Sequence, residues 1–331
     1  MFNFARHFSW RVFFYSSLPL IILGAVLSAQ ASAAKDLFRV EAISIQAGEL
    51  CLQVDPVHGA RISSLKFAEQ ELLFTASAAE ENNNWGSTFW LSPQSLWGWP
   101  PVTAHDSEQY KVLSFTERSV KLQSRSASGA TVSKEIVLNS QQKNRIDLLY
   151  TLQAEKNFPE VAAWEITRVP LNGLVFYAVS GDFIAVPMGE MEYELDSNNI
   201  VWQSFSPDAG LLEGKLIAHG SEGWLAWVSE GLLYIKRYAP MAREEIATGE
   251  GDIEIYVSDK LPYAELEVQS AARSLKKGEQ LQWQVSWVIL PLPENVAPVS
   301  GNPKLLALVR EQLAVFNKNG YIVDTKIKTI N

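Results

Sequence analysis

A single cysteine, Cys51, cannot close an internal disulfide, so no covalent staple is available to the fold. Histidine is equally scarce. His7, His58, His105 and His219 lie far apart and match no metal-ligand spacing, so no metal is expected. There is no Gly-rich phosphate loop, no Gly-x-Ser-x-Gly elbow and no Cys–His nucleophile motif, and no cofactor is expected. Regular alternation of strand and helix is missing, which disfavours a doubly wound nucleotide-binding fold. Positive charge is also in deficit. The formal net charge is −9; residues 1–33 hold two of the 28 Lys and Arg and none of the 37 Asp and Glu, which leaves −11 on the remainder. Such a surface repels phosphate backbones and anionic bilayers, so neither nucleic acid nor a membrane surface is an expected partner.

What is present begins with a targeting pattern. Arg6, His7 and Arg11 precede an apolar run at residues 12–27, and Ala31-Ser32-Ala33 supplies the small-x-small exit that a signal peptidase accepts. Residues 1–33 are therefore expected to be a cleaved signal peptide, which would deliver the protein to the periplasm or the exterior. The run approaches the length of a bilayer span, so an uncleaved membrane anchor is the alternative. No cysteine follows the run at once, which argues against a lipid anchor.

Short runs rich in β-formers follow, among them residues 61–67, 110–115, 119–123, 131–138, 145–152, 263–269 and 281–289. Turn residues separate them at regular intervals, the pattern of an all-β sandwich or barrel. Cys51 falls in the alternation Leu50-Cys51-Leu52-Gln53-Val54 and reads as a small strand residue. Residues 34–292 are expected to form one β domain, since β-sandwiches of about 200–250 residues routinely do. Residues 293–331 read as a helical tail. Asn302-Pro303 resembles a cap with proline in the first turn, and Leu305, Leu306, Leu308, Val309, Leu313 and Phe316 recur at helical spacing. This short C-terminal helix is expected to pack on the sandwich.

Residues 82–101 interleave aromatic rings with uncharged hydrogen-bonding side chains. Asn84, Trp85, Trp90, Gln94, Trp97 and Trp99 stand out, broken by Gly86, Gly98, Pro93, Pro100 and Pro101. The glycines and prolines predict a structured loop. Aromatic faces cover the C–H face of a pyranose while amides and hydroxyls match its hydroxyl groups, so this mixture points to a sugar. The competing reading is a loop pinned to the core by tryptophan and proline with no ligand.

Two further segments bear carboxylates. In Trp164-Glu165-Ile166-Thr167-Arg168-Val169 a strand would put Glu165, Thr167 and Val169 on one face and Trp164, Ile166 and Arg168 on the other. In Tyr263-Ala264-Glu265-Leu266-Glu267-Val268-Gln269 it would put Glu265, Glu267 and Gln269 together. Two carboxylates on one face repel, which raises one pKa and suits a general acid or base. The plain alternative is the solvent face of an edge strand. His105, close to the aromatic loop, is a candidate acid; a surface histidine is the competing reading.

Gly59-Ala60-Arg61-Ile62-Ser63-Ser64-Leu65, the run from Phe89 to Pro101, Trp164-Glu165-Ile166-Thr167-Arg168, and Glu265-Leu266-Glu267-Val268 with Leu275-Lys276-Lys277-Gly278-Glu279 together resemble a bacterial family, domain of unknown function 4380. That family is similar to the galactose mutarotase superfamily. The resemblance implies a β-supersandwich with a sugar site on a concave sheet, to which Arg61, Asn84, Trp85, Trp90, Gln94, Trp97, Trp99, Trp164, Arg168 and Glu265 would contribute. In aldose mutarotases a Glu is the general base and a His the acid. The resemblance puts the base at Glu267. Where mutarotases carry the acidic His, this chain has Trp164-Glu165, so the acid would be missing or replaced by Glu165 or His105. The leading expectation is an exported carbohydrate-binding protein. The alternatives are an active epimerase using Glu267, and a non-enzymatic interaction module of the cell envelope with the aromatic loop as its contact surface.

Overall fold

The computed structural model describes residues 42–79, 83–210, 212–319 and 326–329, and the expected signal segment lies outside them. Two antiparallel sheets pack face to face. The first half of the chain contributes β1 (Ile43–Ala47), β2 (Leu50–Asp55), β3 (Arg61–Phe67), β4 (Gln70–Glu71), β5 (Ser87–Ser92), the short helix α1 (Thr103–Asp106), β6 (Lys111–Thr116), β7 (Ser119–Gln123), β8 (Ala130–Leu138) and β9 (Arg145–Ala154). Next come β10 (Phe158–Pro170), β11 (Gly173–Gly189), β12 (Glu194–Leu195), β13 (Ile200–Phe205), β14 (Gly214–Ser229), β15 (Leu232–Arg237), β16 (Ile253–Val257), β17 (Tyr263–Gln269), β18 (Arg273–Leu275) and β19 (Glu279–Pro291). The helix α2 (Pro303–Asn319) and β20 (Lys326–Thr329) complete the described chain.

One sheet runs through β1, β2, β3, β5, β10, β17, β16, β14, β11 and β13. The other runs β6, β7, β8, β9, β19, β15 and back to β14. The long strand β14 belongs to both: residues from Gly214 to Ala218 pair with β16, and residues from Trp224 to Ser229 pair with β15. Period-2 alternation fills the space between. On β9, Ile146, Leu148, Tyr150 and Leu152 are buried while the residues between them turn outward. Phe89 of the first sheet stacks on Tyr150 of the second at 4.8 Å, and Tyr150 continues to Trp283 at 5.9 Å.

The tail forms the expected helix. The Asn302 side chain accepts the Lys304 N–H at 3.0 Å ahead of Pro303, and Leu305, Leu306, Val309 and Leu313 join the main core. Arg310 holds the helix to Glu222 at 2.7 Å. Phe316 lies outside the described side chains. The tail is not purely helical, because β20 pairs with residues from Glu279 to Gln282 of β19.

One expectation is corrected. Residues 82–101 are not loop throughout: Ser87–Ser92 is a fully buried strand, β5, registered along β10 from Thr167↔Ser87 to Ala162↔Ser92. Its Thr88, Phe89 and Trp90 are strong β-formers, and burial on both faces overrides the turn residues that flank them. Gly86 makes the entry possible. Its φ is +64°, and a Cβ there would sit 2.4 Å from the Ile62 carbonyl oxygen.

Candidate functional site

The site grows from the alternation of five neighbouring strands. In register, Trp90 of β5 faces Trp164 of β10, and Trp164 faces Gln269 of β17. Two residues along β17, Glu267 opposes Glu254 of β16; two further, Glu265 lies between Arg168 and Tyr256, and Tyr256 opposes Lys215 of β14. All these residues point away from the sandwich core. Trp90, Trp164 and Ile166 form an apolar cluster of their own, with Trp97 packed against it. Above this floor opens a cleft of about 460 Å³, within the size range of small-molecule sites. Trp90, Trp99, Trp164, Tyr256 and Tyr263 supply its rings, and Asn84, Gln94, Glu213, Lys215, Asp259, Lys260 and Glu265 its polar groups.

Two of the rings are fixed by hydrogen bonds from beneath. Trp90 Nε1 donates to Asp106 Oδ1 at 2.8 Å, and Trp164 Nε1 donates to Glu267 Oε2 at 2.8 Å. The two indoles meet edge to face, at 5.5 Å and 87°. Asp106 also accepts from Thr88, from Arg61 and, through Oδ2, from Asn83. It reaches this position because α1 docks against Gly59, whose φ is +70° and where a Cβ would lie 1.9 Å from the Asp106 carbonyl oxygen. Trp97 donates to the Leu91 carbonyl at 2.7 Å, and the Gln94 N–H donates to Glu250 at 2.7 Å. Trp99 stands at the mouth, 68% exposed, with its ring 6.2 Å from Trp90 at 86°.

Charges lie beside and under the rings. Lys215 Nζ is 2.5 Å from Glu254 Oε2, 3.6 Å from Glu267 Oε2 and 4.9 Å from the Trp164 ring. Burial lowers the Lys215 pKa, but Glu267 and Glu254 outweigh it and the net shift is upward. Burial pushes the Glu267 carboxyl well above the ordinary range. Lys215 opposes that shift, and Glu254 and Glu265 add to it. Glu250 is pushed up to about 7, by burial first and then by Glu254. Arg168 pairs with Glu265 at 2.8 Å. Among the described residues, no three His, Cys, Asp or Glu side chains are grouped to hold a metal ion.

Of the residues singled out from sequence, Asn84, Trp90, Gln94, Trp99, Trp164 and Glu265 line the cleft. Arg168 and Glu267 lie one layer below it, in contact with Glu265, Trp164 and Lys215. Trp97 packs behind Trp90. Arg61 and Trp85 do not reach the cleft. Arg61 is fully buried, stacked 4.5 Å from the Trp85 ring, and donates to the Asn83 and Trp85 carbonyls, so both residues brace the loop. Burial lowers the Arg61 pKa to about 10 against the pull of Asp106.

Both candidate acids are corrected. Glu165 occupies the opposite face of β10, as the period of a strand requires, and pairs with Lys236 at 2.6 Å inside the sandwich. His105 is neither at the surface nor at the cleft. It is buried in α1 with Nε2 3.2 Å from the Ala130 carbonyl oxygen, and burial lowers its pKa. Sequence reasoning did not name Lys215, Glu254 or Tyr256. Each follows from sheet adjacency, and Lys215 sits in a plain run, Gly214-Lys215-Leu216-Ile217, that carries no local signal. Tyr263 had a visible signal: it shares the face of Glu265 and Glu267 by alternation.

Comparison with solved structures defines the class first. The fold is galactose mutarotase-like: a candidate aldose 1-epimerase from Escherichia coli K12 superposes with a TM-score of 0.52 at 15% identity, over 76% of this chain and 99% of that one. A GalM/aldose epimerase homologue from C. elegans matches with a TM-score of 0.48 at 11% identity, over 76% and 100%. A galactose 1-epimerase from Lactobacillus acidophilus NCFM matches with 0.41 at 10%, over 74% and 92%. No curated protein matches in sequence. Within that fold, the chain belongs to the family described as domain of unknown function DUF4380, whose profile matches residues 40–290.

Proposed function

We propose that this is an exported carbohydrate-binding protein that holds a saccharide in the cleft between Trp99 and Glu265. One observation carries the reading: a single cleft unites rings held in fixed orientation with amides and carboxylates, the two kinds of surface a pyranose presents. The mutarotase-like fold supports it as an analogy of architecture. An epimerase would need Glu267 as an accessible base. Glu267 has no exposed surface, and its Oε2 is engaged by the Trp164 indole. Binding without turnover is therefore the better reading.

Calorimetry against a panel of hexoses, pentoses and their oligomers is the test. Saturable heat with at least one sugar is expected, with no acceleration of α-glucose or α-galactose mutarotation in a polarimeter. A panel without heat or thermal shift ends the sugar reading. Fast mutarotation that Glu267→Gln abolishes would replace it with the epimerase. Export is part of the proposal. The protein recovered from the exported soluble fraction is expected to begin at Ala34, and an intact Met1 in the membrane fraction would contradict this.

A further inference from the structure

The charge of the ligand can be read from which ionic groups around the cleft are already committed. Three cations at or below the cleft already have a carboxylate: Lys215, on its wall, has Glu254, Arg168 has Glu265 and Arg61 has Asp106. The rim differs. Glu213 and Asp259 line the cleft, and among the described residues neither forms an ion pair. Glu213 accepts a hydrogen bond from Tyr256 at 2.8 Å. Against these two carboxylates stands one rim ammonium, Lys260. In the layer below the cleft, Glu267 Oε1 is buried without a hydrogen-bond partner, and so is Arg168 Nη1. The indoles already hold positive charge, with Lys215 Nζ 4.9 Å from Trp164 and Arg168 Cζ 5.8 Å from Trp90, as the negative face of an aromatic ring favours. Trp99 presents its own ring to solvent beside them.

Resting on the sugar reading, we propose that the preferred ligand is a saccharide bearing a free amine, its ammonium facing Glu213 and Asp259 and its ring lying against the tryptophans. A neutral sugar leaves the rim carboxylates unpaired. A uronate brings a third anion to a rim whose one uncommitted cation is Lys260, at a cost in like-charge repulsion.

Calorimetry at low salt and mildly acidic pH compares glucosamine and galactosamine with glucose, galactose, N-acetylglucosamine and glucuronate. The amines are expected to bind on the order of 10-fold tighter than both the neutral parents and the N-acetyl form. Raising salt shrinks that ratio, because exposed charges are screened. Raising pH until the sugar amine is neutral removes it. The double substitution Glu213→Gln with Asp259→Asn brings the ratio toward one; should that variant not fold, the salt and pH series on the unaltered protein decides. Equal affinity for amine and parent, or tightest binding of glucuronate, overturns the amine proposal and leaves the sugar reading standing. Absence of binding by every sugar overturns both.

Discussion

Strand β10 separates two buried ammonium–carboxylate centres that are built on different terms. On its core side Lys236 meets Glu165 at 2.6 Å. Ser87 and Thr167 hydroxyls donate to Glu165 Oε1, and Lys236 donates again to the Leu266 carbonyl. One cation balances one anion, and hydroxyls and a carbonyl complete the bonding. On the cleft side a single cation, Lys215, serves Glu254 and Glu267, with Glu265 close by, and Glu267 Oε1 is left without a partner. Buried polar groups in a stable interior are satisfied. The core pair obeys that rule and ties two sheets together; the cleft cluster breaks it beside a cavity, as a site does. Both clusters contain a carboxylate on β10 or β17, and only the face distinguishes the one in the core from the one beside the cleft.

The largest expected effect breaks the core pair. Lys236→Met leaves Glu165 buried and uncompensated, and should cost about 3–5 kcal/mol in denaturant unfolding. Pairing it with Glu165→Leu should restore most of that loss, since an apolar pair of similar volume is often neutral. Lys215→Met sharpens the contrast. Its partners sit under an open cleft and can take up a proton or water, so the cost should be about 1–2 kcal/mol. Equal losses at the two lysines would remove the distinction.

Trp99→Ala comes next, and its effect lies in binding. The ring is largely exposed, so unfolding should be unchanged, while sugar affinity falls about 10-fold, or about 1.4 kcal/mol, in calorimetry. The last comparison is a pH slope. The Glu250 carboxyl sits at about 7 in the folded chain against an ordinary 4.5, so the folded state holds its proton more tightly than the unfolded state. Its contribution is fully present below 4.5 and is lost as pH rises through about 7. Thermal unfolding of the unaltered protein and of Glu250→Gln should agree at low pH and diverge above it, with the unaltered protein the less stable. Parallel curves would remove Glu250 from the cluster.

Much of this was legible in the sequence because strand alternation is a local rule. The split of Trp164, Ile166 and Arg168 from Glu165 and Thr167 follows from it, as does the grouping of Glu265, Glu267 and Gln269. Alternation does not say which face is the core. That is why Glu165 read as a possible acid, and it took Lys236, reaching across from β15, to settle its surroundings. The strand β5 was hidden by the glycines and prolines at its ends. Lys215 and Tyr256 were invisible because their place beside Glu265 depends on pairings between strands far apart in the chain.

A crystal structure grown with the tightest-binding sugar of the calorimetric panel tests the central claim most directly. The expected result is a sugar ring against Trp99 and Trp90 with its polar groups on Gln94 and Glu265. A sugar seated instead in the separate hollow of about 290 Å³ beside Asn139, Gln142 and Arg145, with the tryptophan cleft empty, would contradict it.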